Sequence, residues 1–412
     1  MLRYQRWQTS IVLNALKTRR VVIIGGARQC GKTTLTKSLV VSGTTYRTLD
    51  DKLLLQAARI DPQEFVKHRE NMMIIDEVQK ALELLPAIKM IVDENNRPGQ
   101  YLLTGSSNIQ SLPSVTESLA GRIREVPLRP LSQGEILGHL PNFIDGAFKQ
   151  QFHSYNNLLG RDDIIEIAMR GGYPEPLEFS SYDRQPWHQN YIDTLLERDL
   201  KEIINIRRQD ALDSLVKIVA AWSTKPIDIA AIGSGLSLQR HTVESYFNAL
   251  ETLYLIDRIP AFAKTDYDRV GKQSKLIFND SGLMASILRW RIDDIRLDSD
   301  RVGKLIETHV GNELQKHIDT TENQCVLYHY RDREKREIDF IIEGYHGDLL
   351  GIEVKSSTTP SSNDFKHLKL FNEKIKPSDK NFIGIVLYTG NHIVSFGNSM
   401  WAVPISCLYC SA

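Results

Sequence analysis

No stretch of this 412-residue chain comes near twenty consecutive apolar residues, so the sequence offers no hydrophobic helix able to cross a bilayer. The opening run, Met1-Leu2-Arg3-Tyr4-Gln5-Arg6-Trp7, lacks the apolar core of a signal peptide, and a cytoplasmic protein without membrane contact is expected. An excess of either charge is missing too, since Lys plus Arg and Asp plus Glu both number 51. No global field then draws the chain to nucleic acid, and any such contact must come from locally segregated charge. Cysteine is scarce: Cys30, Cys325, Cys407 and Cys410 make no disulfide framework. Cys407 and Cys410 have ligand spacing, but no second Cys/His pair accompanies them, which argues against a zinc or redox site. What is present is a composition of 42% hydrophobic and 25% charged residues, that of a folded chain, and a length that calls for two or three domains.

The most specific signal is Gly26-Ala27-Arg28-Gln29-Cys30-Gly31-Lys32-Thr33, followed by Thr34. It matches the phosphate-loop spacing G-x-x-x-x-G-K-[ST] and sits between a strand-like run, Val21–Ile24, and a segment whose Leu35 and Leu39 share one helix face. Gly26 and Gly31 let main-chain N–H groups turn inward around phosphate oxygens, Lys32 reaches the β- and γ-phosphates, and the Thr33 hydroxyl ligates Mg²⁺. Cys30 reads as a variable loop position at which the backbone does the work.

The expected second half of such a site follows. Met72–Ile75 is an apolar run ending in Asp76-Glu77. A carboxylate at the tip of a buried strand holds the metal, and the adjacent glutamate polarises the attacking water, which points to hydrolysis rather than binding alone. A third strand, Tyr101–Leu103, runs into Thr104-Gly105-Ser106-Ser107-Asn108. Asn108 or Ser107 is a candidate to orient the lytic water, and a plain Ser/Asn/Gly turn fits this composition equally well. Arg122 is a candidate arginine finger, within one subunit or across two; alternatively Arg122 and Arg124 alternate on the solvent side of a strand entry.

Strands alternating with helices over about 20–130 predict a parallel sheet with helices on both faces. Residues 131–205 read as helical. They include Asp162–Met169, which stops at Gly171-Gly172-Tyr173-Pro174, and Tyr191–Ile204, which carries Glu197-Arg198-Asp199. Arg198 is open to a nucleotide-sensing role or to plain surface pairing of its neighbours. Residues 226–260 look like a helix-turn-helix and wing: the turn is expected at Gly233-Ser234-Gly235 and a helix N-cap at Ser237. Gln239, Arg240 and His241 then stand at the exposed helix start, with Lys264, Arg269, Lys272 and Lys275 as nearby positive charge for DNA.

In the last third, strands are expected at Val326–Tyr330, Ile338–Ile342, Leu349–Val354 and Phe382–Leu387, with a helix bearing Phe365 and Leu368. Glu353 and Lys355, two apart on one strand, point to the same face. Asp339 joins Glu353 in a two-carboxylate Mg²⁺ site, Lys355 steadies a hydroxide or phosphate, and Glu307 offers a further acid from a helix. A charged strand end is the plainer alternative.

With these residues the chain resembles a prokaryotic family of uncharacterised AAA+-type P-loop ATPases with a C-terminal conserved domain of unknown function. The likeness runs over nearly the whole length. It rests on Gly26–Thr34, Leu49-Asp50-Asp51, Ile74–Lys80, Leu103–Ser106, Leu119–Arg122, Pro130-Leu131-Ser132, Gly171–Pro174, Glu197-Arg198-Asp199, Gly303–Glu307, Arg336–Phe340 and Ile352–Lys355. Ile338 departs from the proline that classical nucleases often carry before the aspartate. The resemblance implies an α/β chain with an AAA+-type parallel-sheet domain (1–135), a helical lid (136–205), a winged-helix segment (206–295) and a restriction-endonuclease-like domain (296–412). It implies ATP rather than GTP, with Mg²⁺, and Mg-dependent hydrolysis to ADP and phosphate. Nucleotide state would be coupled to DNA or partner handling by the C-terminal half, in a chain open to homo-oligomer formation. An ATP-gated DNA nuclease of the PD-(D/E)xK type and a non-enzymatic ATP switch are the competing expectations.

Overall fold

A computed structural model describes residues 4–106, 121–154, 159–203, 209–263, 272–321, 324–375 and 381–410. They form two compact units, one of residues 1–130 with 250–255, the other of 131–249 with 256–412. No helix among the described residues is long and apolar enough to cross a membrane.

The first unit is built on β1 (Val21–Gly25), β2 (Thr44–Thr48), β3 (Met72–Asp76), β4 (Tyr101–Gly105) and β5 (Ile123–Pro127), all parallel, in the order β2-β3-β4-β1-β5. Alternation along the strands makes two cores. Val21, Ile23, Met73, Ile75, Tyr101 and Leu103 face Phe65, Leu84, Leu85 and Ile88 on one side. Val22, Ile24, Ile74 and Leu102 face Val12, Ala15, Leu35 and Leu39 on the other. Both faces are thus covered, which is why β1 reads as an unbroken apolar run rather than an alternating one. Because the strands are parallel, β1, β3 and β4 all end on the same edge of the sheet, the edge where such sheets place their ligands.

The second unit holds an antiparallel pair, β6 (Ile256–Ile259) with β7 (Lys275–Phe278), and a mixed six-stranded sheet. The latter runs β12-β13-β11-β10-β9-β8, with β8 (Val326–Arg331), β9 (Glu337–Glu343), β10 (Leu349–Lys355), β11 (Phe382–Tyr388), β12 (Val394–Ser395) and β13 (Met400–Pro404). Four of these strands match the expected runs; the exposed two-residue β12 and the apolar run of β13, Met400-Trp401-Ala402-Val403, were not anticipated. Phe365, Leu368 and Phe371 of the helical segment between β10 and β11 pack on the sheet.

One local expectation fails. Gly233 and Ser234 belong to a helix, Ile229–Ser234, capped by Asp228, whose side chain accepts from Ala231 N at 3.0 Å. The next helix, Arg240–Thr252, starts three residues after Ser237. Ser237 has φ 52°, a left-handed backbone unlike the extended one an N-cap needs. Gln239, Arg240 and His241 do stand exposed at that helix start, and Arg240 is held by Glu244 at 2.8 Å.

A buried polar network closes the second unit. On the Ser299–Ile318 helix, Lys316 Nζ donates to Glu313 Oε1 (2.9 Å) and to the Leu131 carbonyl (3.0 Å), and Glu313 Oε2 accepts from Gln133 N (2.9 Å). His309 meets the Tyr409 hydroxyl at 2.7 Å. Lys316→Met should cost about 3–5 kcal/mol in urea unfolding, and the double change with Glu313→Gln distinctly less, because only the single change leaves a buried charge unpaired. Burial pushes His309 down to about 4 despite the charge of Glu313. An unfolded histidine protonates near pH 6.5, so the unfolded state binds more protons between about 6.5 and 4, and this contribution to stability is lost as pH falls through that window. The stability gap between the wild type and His309→Gln should therefore narrow from pH 7 to pH 4.5; a constant gap contradicts this account.

Candidate functional site

The phosphate loop lies at the carboxyl edge of the first sheet. Gly31 has φ 103° and ends the loop at the Lys32–Ser38 helix. A Cβ on Gly26 would lie 2.1 Å from the Leu128 carbonyl oxygen, so only glycine fits where the loop crosses β5's exit. The Lys32 ammonium, almost fully buried, rests on the Gly26 and Ala27 carbonyls at 2.9 Å each. Cys30 is buried with its thiol on the Leu128 carbonyl (3.2 Å), and Arg6 donates to the Cys30 carbonyl (2.7 Å) and to that of Arg129 (2.7 Å). The cysteine is therefore a backing residue, turned onto the protein. Behind the loop the Tyr254 hydroxyl donates to Glu125 Oε1 at 2.9 Å, and a Cβ on Gly25 would strike both atoms. Burial raises the Glu125 carboxyl.

Asp76 ends β3 and is 1% exposed. Its carboxylate accepts three hydroxyls: Thr33 Oγ1 at 2.9 Å and Tyr46 OH at 2.9 Å on Oδ2, and Thr104 Oγ1 at 2.5 Å on Oδ1. Burial, then the Asp76 charge, raises the Tyr46 phenol and keeps it a donor. Glu77 follows with φ 62°, a strained left-handed conformation at the strand tip. Its N–H donates to Thr104 Oγ1 (2.9 Å), while its carboxylate accepts from Gln79 Nε2 and from Ser106 Oγ (3.2 Å). Gln79 also donates to Ser106 Oγ at 2.8 Å.

The structure thus brings Gly26, Ala27, Gly31, Lys32, Thr33, Asp76 and Glu77 together. Arg28 and Gln29 form the turn of the loop, and Thr34 lies exposed on the helix. Asn108, Ser107, Leu119 and Ala120 lie outside the described residues. Arg122 precedes β5 and so stands at the amino edge of the sheet, with its guanidinium on both oxygens of Asp93, one at 3.0 Å. Spanning β5 from there to the loop takes roughly 15 Å of strand. Within one chain Arg122 does not reach the phosphate loop. Thr104, Ser106, Gln79 and Tyr46 were missed as site residues. The register β3 to β4, with Ile75 opposite Leu103, places Thr104 beside Asp76. The donor set fits a magnesium nucleotide: a glycine-bounded loop around one lysine, with one hydroxyl and one carboxylate in contact.

In the second unit, Glu307 lies on the Ser299–Ile318 helix, Asp339 on β9, and Glu353 and Lys355 on β10. Val354 N donates to Asp339 Oδ2 (2.9 Å), and Lys355 Nζ to Glu353 Oε2 (3.2 Å). Lys275, expected to add surface charge for DNA, is instead buried here, donating to Glu307 Oε1 and to the Asp339 carbonyl (3.1 Å), with Asp339 Oδ1 at 3.7 Å. Burial pushes Glu307 up to about 7 against the pull of Lys275, and burial with the Asp339 charge raises Glu353 well above the carboxylate range. Burial alone would lower Lys275, and Glu307 with Asp339 reverses that. Lys272 stays exposed; Lys264 and Arg269 lie outside the described residues. Cys407 and Cys410 are buried, and burial pushes their thiols up to about 12 and about 11, which opposes metal binding or redox reactivity.

Residues 18–137 match the model of a family described as an AAA domain. Residues 161–294 and 302–408 match two domains of unknown function, DUF8612 and DUF4143. Uncharacterized proteins of Mycobacterium tuberculosis and Mycobacterium bovis are each 26% identical over 407 residues, spanning 98% of this chain and 84% of theirs. Among solved structures, the Thermotoga maritima RuvB Holliday junction branch migration motor is 17% identical at a TM-score of 0.27, over 64% of this chain and 93% of that one. The Saccharomyces cerevisiae Hsp104–ADP complex is 12% identical at 0.28, over 76% and 44%. Likeness at those scores carries no weight for fold or function. Residues 18–137 are thus similar to AAA domains, and the rest of the chain carries two segments similar to domains of unknown function.

Thr104 bridges the Asp76 carboxylate and the Glu77 backbone, and its loss tests that geometry. Thr104→Val should weaken Mg²⁺-dependent binding of a fluorescent nucleotide by about tenfold or more, with Thr104→Ser near wild type. Equal affinity and equal Mg²⁺ dependence in the valine variant would reduce Thr104 to an ordinary strand contact.

Proposed function

We propose that the chain is a Mg²⁺-dependent ATPase. The single observation that carries this reading is the contact of Thr33 with Asp76, set beside a Glu77 carboxylate held by Gln79 and Ser106. Lys32 and the loop amides bind the triphosphate, and Thr33 and Asp76 hold Mg²⁺, which when bound neutralises charge developing on the phosphoryl oxygens. Glu77 accepts a proton from the attacking water, with Gln79 and Ser106 fixing its carboxylate on that side. Its left-handed backbone aims it from the strand tip while leaving Asp76 in the metal position.

Because Arg122 stands at the far edge of its own sheet, its proposed role is to complete the site of a neighbouring copy. Residues 206–295 are proposed to form a winged-helix segment, in which the Ile229–Ser234 and Arg240–Thr252 helices precede the β6–β7 pair, and residues 296–412 a restriction-endonuclease-like sheet. ATP state would be passed to DNA through Gln239, Arg240 and His241. Four free cysteines fit a reducing, cytoplasmic setting.

Phosphate release from Mg·ATP, with and without single- and double-stranded DNA, tests the reading. Glu77→Gln should bind ATP but lose turnover by about a hundredfold or more, and Lys32→Ala should lose binding. Normal hydrolysis by Glu77→Gln removes it as the base. Turnover per chain should rise with protein concentration and stay low and flat in Arg122→Ala; concentration-independent turnover indifferent to that change leaves Arg122 as the partner of Asp93 alone.

A further inference from the structure

Three carboxylates meet in the second unit from three elements: Glu307 from a helix, Asp339 from β9 and Glu353 from β10. A resident divalent ion would need at least two of them facing a shared opening, free to replace its water. The arrangement observed does not fit one. Among the described residues no group of three or more His, Cys, Asp or Glu side chains is placed to hold a metal. Asp339 Oδ2 is taken by the Val354 amide, and Glu353 Oε2 by Lys355. The centre is taken by an ammonium. Lys275 Nζ touches Glu307, the Asp339 carbonyl and Asp339 Oδ1, and it lies 4.9 Å from the centre of the Phe340 ring. Two of its donors make hydrogen bonds, and its side chain is 7% exposed. One carboxylate atom, Glu353 Oε1, is buried with no hydrogen-bond partner among the described residues.

We propose that Lys275 is the resident cation of this cluster, an internal counter-ion that stands where a divalent metal would and holds the site closed. A buried charge set of this kind is tolerated only when opposite charges face each other, so metal and lysine exclude one another. Lys275 opens β7, opposite Ile259 of β6, so its ammonium also ties that antiparallel pair to β9 and the Ser299–Ile318 helix. The site takes up metal only when β7 withdraws. Nothing in this proposal depends on the nucleotide reading, since no atom of the cluster belongs to the phosphate-loop site.

The test is Mn²⁺ binding by the full-length, nucleotide-free protein, followed by electron paramagnetic resonance, with thermal unfolding alongside. Wild type and Asp339→Asn should bind the same small amount of Mn²⁺. Lys275→Gln combined with Glu307→Gln removes one charge of each sign and leaves Asp339 with Glu353. This variant should bind one further Mn²⁺ per chain at least about tenfold more tightly than wild type, equivalent to about 1.4 kcal/mol. Mn²⁺ should raise its melting temperature, and adding Asp339→Asn should abolish both effects. One Mn²⁺ per wild-type chain that Asp339→Asn removes would overturn the proposal, as would a folded double variant that takes up no Mn²⁺. A double variant that folds only with Mn²⁺ present supports it; one that Mn²⁺ fails to rescue counts against it.

Discussion

The carboxylate of Asp76 is the point on which the first unit turns. It is buried at a strand tip, where an unsolvated charge is tolerated only with donors around it, and it has three hydroxyls, from Thr33, Tyr46 and Thr104. Those hydroxyls come from the helix after the phosphate loop, from β2 and from β4. One charge therefore positions three elements, and the parallel sheet makes this possible by ending β3 and β4 on the edge where the loop begins. Glu77 is placed by the same hydroxyl of Thr104 that holds Asp76.

Charge is used differently in the second unit. There several acids are met by lysines: Glu313 by Lys316, Glu353 by Lys355, and Glu307 with Asp339 by Lys275. The first of these stitches the chain entry at Leu131 to the long helix and reads as architecture. The last has the acids of a metal site and a lysine in its centre. The two units thus present an acid with hydroxyl donors suited to an incoming ion, and acids already neutralised from within.

Much of this was legible in the sequence wherever the signal is local. The G-x-x-x-x-G-K-T spacing and the acid pair after Met72–Ile75 located the loop, Asp76 and Glu77 because each motif is contiguous. Two-sided burial made β1 an apolar run. What escaped depends on register or long separation. Thr104 became a site residue only through the pairing of β3 with β4, whereas the local pattern offers Ser107 or Asn108, which lie outside the described residues. Arg122 is close to the loop in pattern but opposite in place, because a strand's first residue lies at the other edge of the sheet. Lys275 is 32 residues from Glu307 and 64 from Asp339, and a lysine among basic neighbours looks like surface charge until its strand is placed. At Ser237 a good capping residue lost to a left-handed backbone.

Calorimetric titration of adenosine triphosphate into the folded protein tests the central claim most directly, once with Mg²⁺ and once with the metal chelated. The Asp76 geometry predicts saturable heat at one nucleotide per chain, with affinity at least about tenfold higher when Mg²⁺ is present. No heat in either titration, or the same affinity with and without the metal, would contradict it.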